Sequence, residues 1–220
     1  MPLRYELVIF DVDGTMLDTT DGVLSSVKYT IDKFGLGKLS DKELSAFIGP
    51  PIQDSFAKSY SLSGDILQDL ATVFRDRYKD YDLLKAEPYE GIYDLFAELT
   101  DRGVKTAVAT YKREDYALTL LKHYGFDKYT EIMHGGDHYN KLKKSDIIEL
   151  CISESGVTDK SRILMVGDTI NDAVGAEKIG VDFLAVTYGF GFKTENELNS
   201  VKKIGAVDSA VKIMDFIIQR

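Results

Sequence analysis

The sequence predicts an α/β protein, a doubly wound parallel sheet with an inserted α-helical cap. Three observations carry that expectation. The chain begins with an apolar run, Leu7-Val-Ile-Phe10, that leads straight into Asp11-Val-Asp13-Gly14-Thr15. Helical periodicity without a convincing strand then occupies the stretch to about Tyr81. From Glu87 onward, apolar strands alternate with amphipathic helices, the pattern of a parallel sheet covered on both faces. The core is therefore expected at residues 1–15 and 84–220, and the helical cap at 16–83.

The first strand has no polar alternation, so it reads as buried on both sides. Gly14 permits a sharp turn directly after the paired aspartates. In the cap, Val23, Val27, Ile31 and Phe34 recur at helical spacing and stop at Gly35 and Gly37. Ser40-Asp-Lys-Glu43 is a capping-box pattern that opens a second helix, and Gly49-Pro50-Pro51 breaks it. A short helix through Ile52 and Phe56 precedes a longer one marked by Ile66, Leu70, Phe74 and Tyr78.

In the core, Ile92, Leu95, Phe96 and Leu99 form a helix face, and Val104 to Thr110 is a buried strand. Ala117, Leu120, Leu121 and Tyr124 give the next helix, and Thr130 to Met133 a short strand. Ser145 is expected to cap a helix bearing Ile147, Ile148, Cys151 and Ile152. Arg162 to Asp168 is a strand, Asp172 to Ile179 a helix, and Val181 to Val186 a further strand. Thr194-Glu-Asn-Glu197 is a second capping box, and a helix from Ser209 to Ile218 ends the chain.

Composition bounds the function. Of 220 residues, 44% are hydrophobic, enough for a substantial core, and the net charge of −9 disfavours binding a nucleic-acid polymer over a broad surface. The single cysteine, Cys151, lies in an apolar helical pattern and reads as a buried thiol. No apolar run reaches membrane-spanning length. A cytoplasmic protein with no membrane partner is the expectation, its oligomeric state, monomer or dimer, left open.

In a parallel sheet the carboxyl ends of the strands share one edge, where ligands gather. Here those ends carry Asp11 and Asp13, then Thr110-Tyr111-Lys112, the lysines Lys141, Lys143 and Lys144, and finally Gly167-Asp168 with Asp172. Clustered carboxylates without histidine or cysteine favour a hard cation, Mg²⁺ above all, and such a site holds substrate phosphate as well. A carboxylate in line with phosphorus can attack it. A second can protonate the leaving oxygen and later activate water.

These residues resemble the haloacid dehalogenase superfamily, in particular its phosphoglycolate phosphatase-like members with a helical cap after the first strand. Asp11-Val-Asp13-Gly14-Thr15-Met16-Leu17-Asp18 looks like the first motif of that family, Thr110 the second, Lys144 the third, and Gly167-Asp168-Thr-Ile-Asn-Asp172 the fourth. The resemblance implies a Mg²⁺-dependent phosphatase acting on a small phosphorylated metabolite. Asp11 would be the nucleophile and Asp13 the general acid/base. Asp11, Asp13 (through its backbone carbonyl) and Asp168 would hold the metal, with Asp172 alongside or just behind. Thr110 would bind the phosphoryl group and Lys144 would neutralise its charge. Val12, Gly14, Tyr111 and Lys112, with Gly49 and Pro50 of the cap, would line the substrate site. Two departures stand out. Tyr111 replaces the Asn common after the second-motif Thr or Ser, leaving it a substrate-facing ring or simple packing. Lys141-Leu-Lys143-Lys144 lacks the usual prolines, so Lys141 and Lys143 remain alternatives to Lys144. A phosphomutase using the same aspartyl-phosphate, a pyrophosphatase and a non-catalytic binding protein are the competing readings.

Overall fold

The computed structural model describes residues 3–139, 141–192 and 194–218. In chain order the elements are β1 (Leu7–Phe10), β2 (Leu17–Asp18), α1 (Thr20–Lys33), α2 (Asp41–Ser45), α3 (Ile52–Tyr60), α4 (Ile66–Arg77), β3 (Glu87–Pro88), α5 (Ile92–Asp101) and β4 (Lys105–Arg113). There follow α6 (Glu114–His123), β5 (Met133–Gly136), α7 (Lys144–Ser155), β6 (Ile163–Gly167), α8 (Ile170–Ile179), β7 (Asp182–Val186), α9 (Glu195–Asn199), β8 (Gly205–Val207) and α10 (Met214–Ile217). The chain divides into two compact units, one of residues up to Leu17 and from Pro88 on, the other Asp18–Glu87.

The first unit is the doubly wound α/β fold. Among the described residues its sheet has six strands in the order β5-β4-β1-β6-β7-β8, every pairing parallel. β1 lies in the interior of the sheet, with Phe10 in register with Val108 on one side and Val166 on the other. That explains its unbroken apolar sequence: all four residues are fully buried. Leu7 and Ile9 face a cluster with Ile147, Ile148 and Cys151 of α7 and Ala173 and Ala176 of α8. Phe10 faces the other way and packs on Phe96 of α5, ring centroids 4.7 Å apart. Cys151 is buried and its thiol donates to the Val108 carbonyl at 3.2 Å, and burial pushes the thiol up to about 12.

The second unit is helical. α1 and α4 pack around a buried carboxylate, Asp82, in the π-helical turn Tyr78–Asp82 that follows α4. Ser25 and Ser26 of α1 donate to it at 3.1 and 2.9 Å, Arg77 Nε at 3.0 Å, and Lys85 Nζ lies at 2.7 Å. The Ser40 capping box is formed at the start of α2.

Several element ends differ from the sequence expectation. β4 runs on to Arg113 because it pairs with Gly136 beyond a register shift. The strand expected at Thr130 starts at Met133. Thr130 instead makes a turn, its hydroxyl donating to the Thr106 carbonyl and accepting from Ile132 N–H. The strand then runs into Gly135 and Gly136, which carry no apolar signal. α7 is capped at Lys143, not Ser145, because Asp146 accepts the Lys143 N–H at 2.8 Å. α8 begins at Ile170, two residues early, where Thr169 and Asp172 form a capping box. The C-terminal helix is split into a 3₁₀ turn, Ala210–Ile213, and α10. β8 has no counterpart in the sequence reading.

Candidate active site

The register of β4, β1 and β6 brings Thr110, Asp11 and Asp168 to the carboxyl edge of three neighbouring strands. Asp11 continues the β1 ladder by one bond, its N–H donating to the Val166 carbonyl at 3.0 Å. The chain then folds back on itself. The Val12 carbonyl accepts from Met16 and Leu17, both at 3.0 Å, and Gly14 takes φ +82°. Gly14 is required twice over, by that left-handed conformation and because a Cβ there would run into the Asp168 carboxylate and the Phe190 ring.

Four carboxylates and two ammonium groups are buried at this edge. Lys144 Nζ lies 2.6 Å from Asp11 Oδ1 and 2.6 Å from Asp172 Oδ1. Lys112 Nζ lies 3.0 Å from Asp13 Oδ1. Asp172 turns its other oxygen to the start of α8, accepting from the Thr169 N–H at 3.0 Å and its hydroxyl at 2.7 Å. Asp168 Oδ2 accepts from the N–H groups of Phe190 and Gly191, at 2.7 and 3.0 Å. Thr110, almost wholly buried, accepts the Lys112 N–H at 3.1 Å.

Electrostatics follow from that packing. Burial raises the Asp11 carboxyl to about 7, with Lys144 opposing the rise and Asp172 and Asp13 adding to it. Burial also lifts Asp168 well above the ordinary carboxylate range, and the charges of Asp172 and Asp11 reinforce it. Burial alone would lower Lys144, but the carboxylates of Asp11 and Asp172 outweigh it and hold the ammonium protonated. Four carboxyl groups share this desolvated site with only the ammonium groups of Lys112 and Lys144 among the described residues, so ionising all of them is costly without a further cation. Oxygens of Asp11, Asp168 and Asp172 lie within 4.8 Å of one another. Asp168 Oδ1 is buried and has no hydrogen-bond partner among the described residues. An all-oxygen donor set and an orphaned carboxylate oxygen fit a hard divalent cation.

The expected residues divide as follows. Asp11, Lys144, Asp168 and Asp172 converge, and Asp13 and Lys112 pair beside the same strand ends. Asp172 offers an oxygen within 4.8 Å of oxygens of Asp11 and Asp168, whereas the Asp13 carboxylate pairs with Lys112. Lys144, first residue of α7, is the lysine in contact with Asp11; Lys141 and Lys143 are on the exposed approach to the helix. The Tyr111 hydroxyl accepts the Lys144 N–H at 2.9 Å. Gly49 and Pro50 belong to the helical unit, in the bend between α2 and α3, where Gly49 takes φ +98°. The segment after β7 is missing from the sequence reading. Besides the Phe190 and Gly191 amides, it supplies Tyr188, whose hydroxyl donates to the Thr15 carbonyl at 2.8 Å. Gly189-Phe-Gly191, at the sheet edge where ligands gather, was the available signal.

A doubly wound parallel sheet with buried aspartates and a lysine at its carboxyl edge defines a class of α/β enzyme that works with carboxylates on a ligand beyond the strand ends. Residues 8–186 match the model of the haloacid dehalogenase-like hydrolases, and the chain belongs to that family. It is 30% identical over 199 residues to a 5'-nucleotidase of Pseudomonas aeruginosa, covering 90% of this chain and 89% of that one. It is 30% identical over 187 residues to the pyrophosphatase PpaX of Halalkalibacterium halodurans, covering 84% and 85%. The crystal structure of a predicted phosphatase from Clostridium acetobutylicum superposes with a TM-score of 0.89 at 30% identity, covering 96% of this chain and 97% of that one.

Proposed function

We propose that this hydrolase is a Mg²⁺-dependent phosphatase that cleaves a small phosphomonoester through an aspartyl-phosphate on Asp11. The observation that carries the reading is Asp11 itself. It is buried at the end of a central strand, in contact with Lys144, and has an oxygen within 4.8 Å of one from Asp168. A carboxylate so placed is a nucleophile directed at one point rather than a surface charge.

In the reading, an Asp11 carboxylate oxygen attacks phosphorus and the ester oxygen leaves, taking a proton from Asp13. Lys144 and the Thr110 hydroxyl hold charge on the phosphoryl oxygens. Asp13, now ionised, takes a proton from water, whose oxygen attacks phosphorus and releases inorganic phosphate and free Asp11. Mg²⁺, held by Asp11 and Asp168 with Asp172 beside them and the Asp13 carbonyl completing the set, would neutralise phosphoryl charge when bound. The named activities of the relatives, on nucleotides and pyrophosphate, put a phosphoryl group in common and leave the leaving group to a substrate panel. Phosphoglycolate, nucleoside monophosphates, sugar phosphates and pyrophosphate belong in that panel, ranked by kcat/KM.

The test is Asp11→Asn, assayed for Mg²⁺-dependent release of phosphate from a generic aryl phosphate. Loss to background is the expected result, and a wild-type rate would remove Asp11 as nucleophile. Asp13→Asn should slow turnover by roughly 10²–10⁴-fold through loss of acid/base catalysis. An unchanged rate would take that role from Asp13.

A further inference from the structure

We propose that Tyr111 is a positioning residue that sets the place of Lys144, and that its hydroxyl does not read the substrate. The proposal rests on the phosphatase reading only for its kinetic consequence.

The start of α7 poses a specific problem. The first N–H groups of a helix have no partner within it and need an outside acceptor. The residue at the cap is Lys143, whose side chain has donors and no acceptor. Asp146 reaches back to the Lys143 N–H, but that leaves the Lys144 N–H unserved. Tyr111, from β4, supplies the acceptor: its hydroxyl takes the Lys144 N–H at 2.9 Å. Two elements 33 residues apart in sequence are thus tied at the one residue whose side chain runs into the carboxylates.

The same tyrosine also faces the other end of that side chain. Lys144 Nζ lies 5.8 Å from the centroid of the Tyr111 ring, within range of the attraction between a cation and an aromatic face. Asp11 and Asp172 hold the ammonium at 2.6 Å each. Along the stem, Gly175 of α8 leaves the room: a Cβ there would lie 3.0 Å from Lys144 Cγ. The backbone of Lys144 is therefore fixed by the hydroxyl, its stem by the gap at Gly175, and its charge by two carboxylates and a ring. Of these, the hydroxyl is the one that anchors the residue from outside its own helix and the charge cluster. Displacement of a charged group by about an ångström is enough to cost rate.

A double-mutant cycle tests this on the full-length protein with Mg²⁺ and a generic aryl phosphate. Tyr111→Phe keeps the ring and removes the acceptor. It should lower kcat about tenfold with KM held within about twofold, the mark of an interaction used in the transition state. In a Lys144→Met background the same change should cost less than about twofold, because the group it positions is gone. A loss that persists undiminished without Lys144 overturns the proposal, as does a loss carried by KM, which would make Tyr111 a substrate contact. A second measurement needs no turnover. The backbone amide and ammonium resonances of Lys144, assigned by comparison with Lys144→Met, should both shift in Tyr111→Phe. If they do not move, the proposal fails whatever the kinetics. If they move while the unaltered chain releases no phosphate from any ester, the positioning stands and the phosphatase reading is what fails.

Discussion

The two oxygens of the Asp168 carboxylate are in unequal positions. One is held by the amides of Phe190 and Gly191, while the other is buried with no hydrogen-bond partner among the described residues. A buried acceptor left so is costly by about 1–3 kcal/mol, which is the imbalance a cation would remove. Adding Mg²⁺ should therefore raise the melting temperature, by the equivalent of about 2.7 kcal/mol at a hundredfold excess over Kd. Calorimetry with and without a chelator measures it, and Asp168→Asn should abolish the increment. Gly14→Ala is the sharper steric test, since it adds a methyl group against Asp168 in a left-handed backbone. It should destabilise the fold by at least about 1 kcal/mol and reduce turnover more than it lowers the melting temperature. Residues of this kind were legible from sequence in proportion to their side-chain chemistry. Asp11, Asp13 and Asp168 stand out because carboxylates at strand ends have few ordinary uses. Phe190 and Gly191 do not, because they contribute backbone amides, which every non-proline residue has. The Tyr111 hydroxyl was out of reach because its partner is also backbone, on a distant element.

At the scale of elements, capping shows the same division. Ser40-x-x-Glu43 and Thr194-x-x-Glu197 each form the capping box their spacing announces. α7 has no such announcement, since its cap is a lysine and its acceptors come from Asp146 and Tyr111. The sequence expectation starts β5 early, at Thr130, and has no β8, because short edge segments pair through backbone and need no apolar alternation. The helical unit yields a pH prediction. Burial would raise the Asp82 carboxyl, yet bonds from Lys85, Ser26, Ser25 and Arg77 outweigh it and hold it below its ordinary value. An unfolded aspartate titrates near 3.9, so Asp82 contributes stability in full above that pH and loses it as pH falls through its lower folded value. Asp82→Asn should cost about 2–4 kcal/mol at neutral pH, an allowance reduced because Lys85 is half exposed. The gap between the variant and the unaltered chain should narrow below about pH 4, read by thermal melts across that range.

On the scale of the whole molecule, the alternation of strand and helix was enough to specify a doubly wound sheet, because each βαβ unit has one favoured hand and a short reach. It could not specify which strand lay in the interior. That position follows from pairing, and pairing has a cost in time. β1 occupies residues 7–10, yet its neighbours are Lys105 to Val108 and Ile163 to Val166. The strand that leads into Asp11 is made well before either of its neighbours. Until the chain has been extended through β6, four consecutive large apolar residues wait with an unpaired edge, exposed to other chains. Contacts at such separation slow folding, because loop closure must precede the pairing that rewards it. The helical residues between, whose contacts are closer in sequence, are free of that delay. Refolding from denaturant should accordingly show a slow phase for burial of β1, and aggregation during that phase should rise with protein concentration. The position that holds Asp11 rigid in the finished protein leaves its strand without either neighbour while much of the chain is still being made.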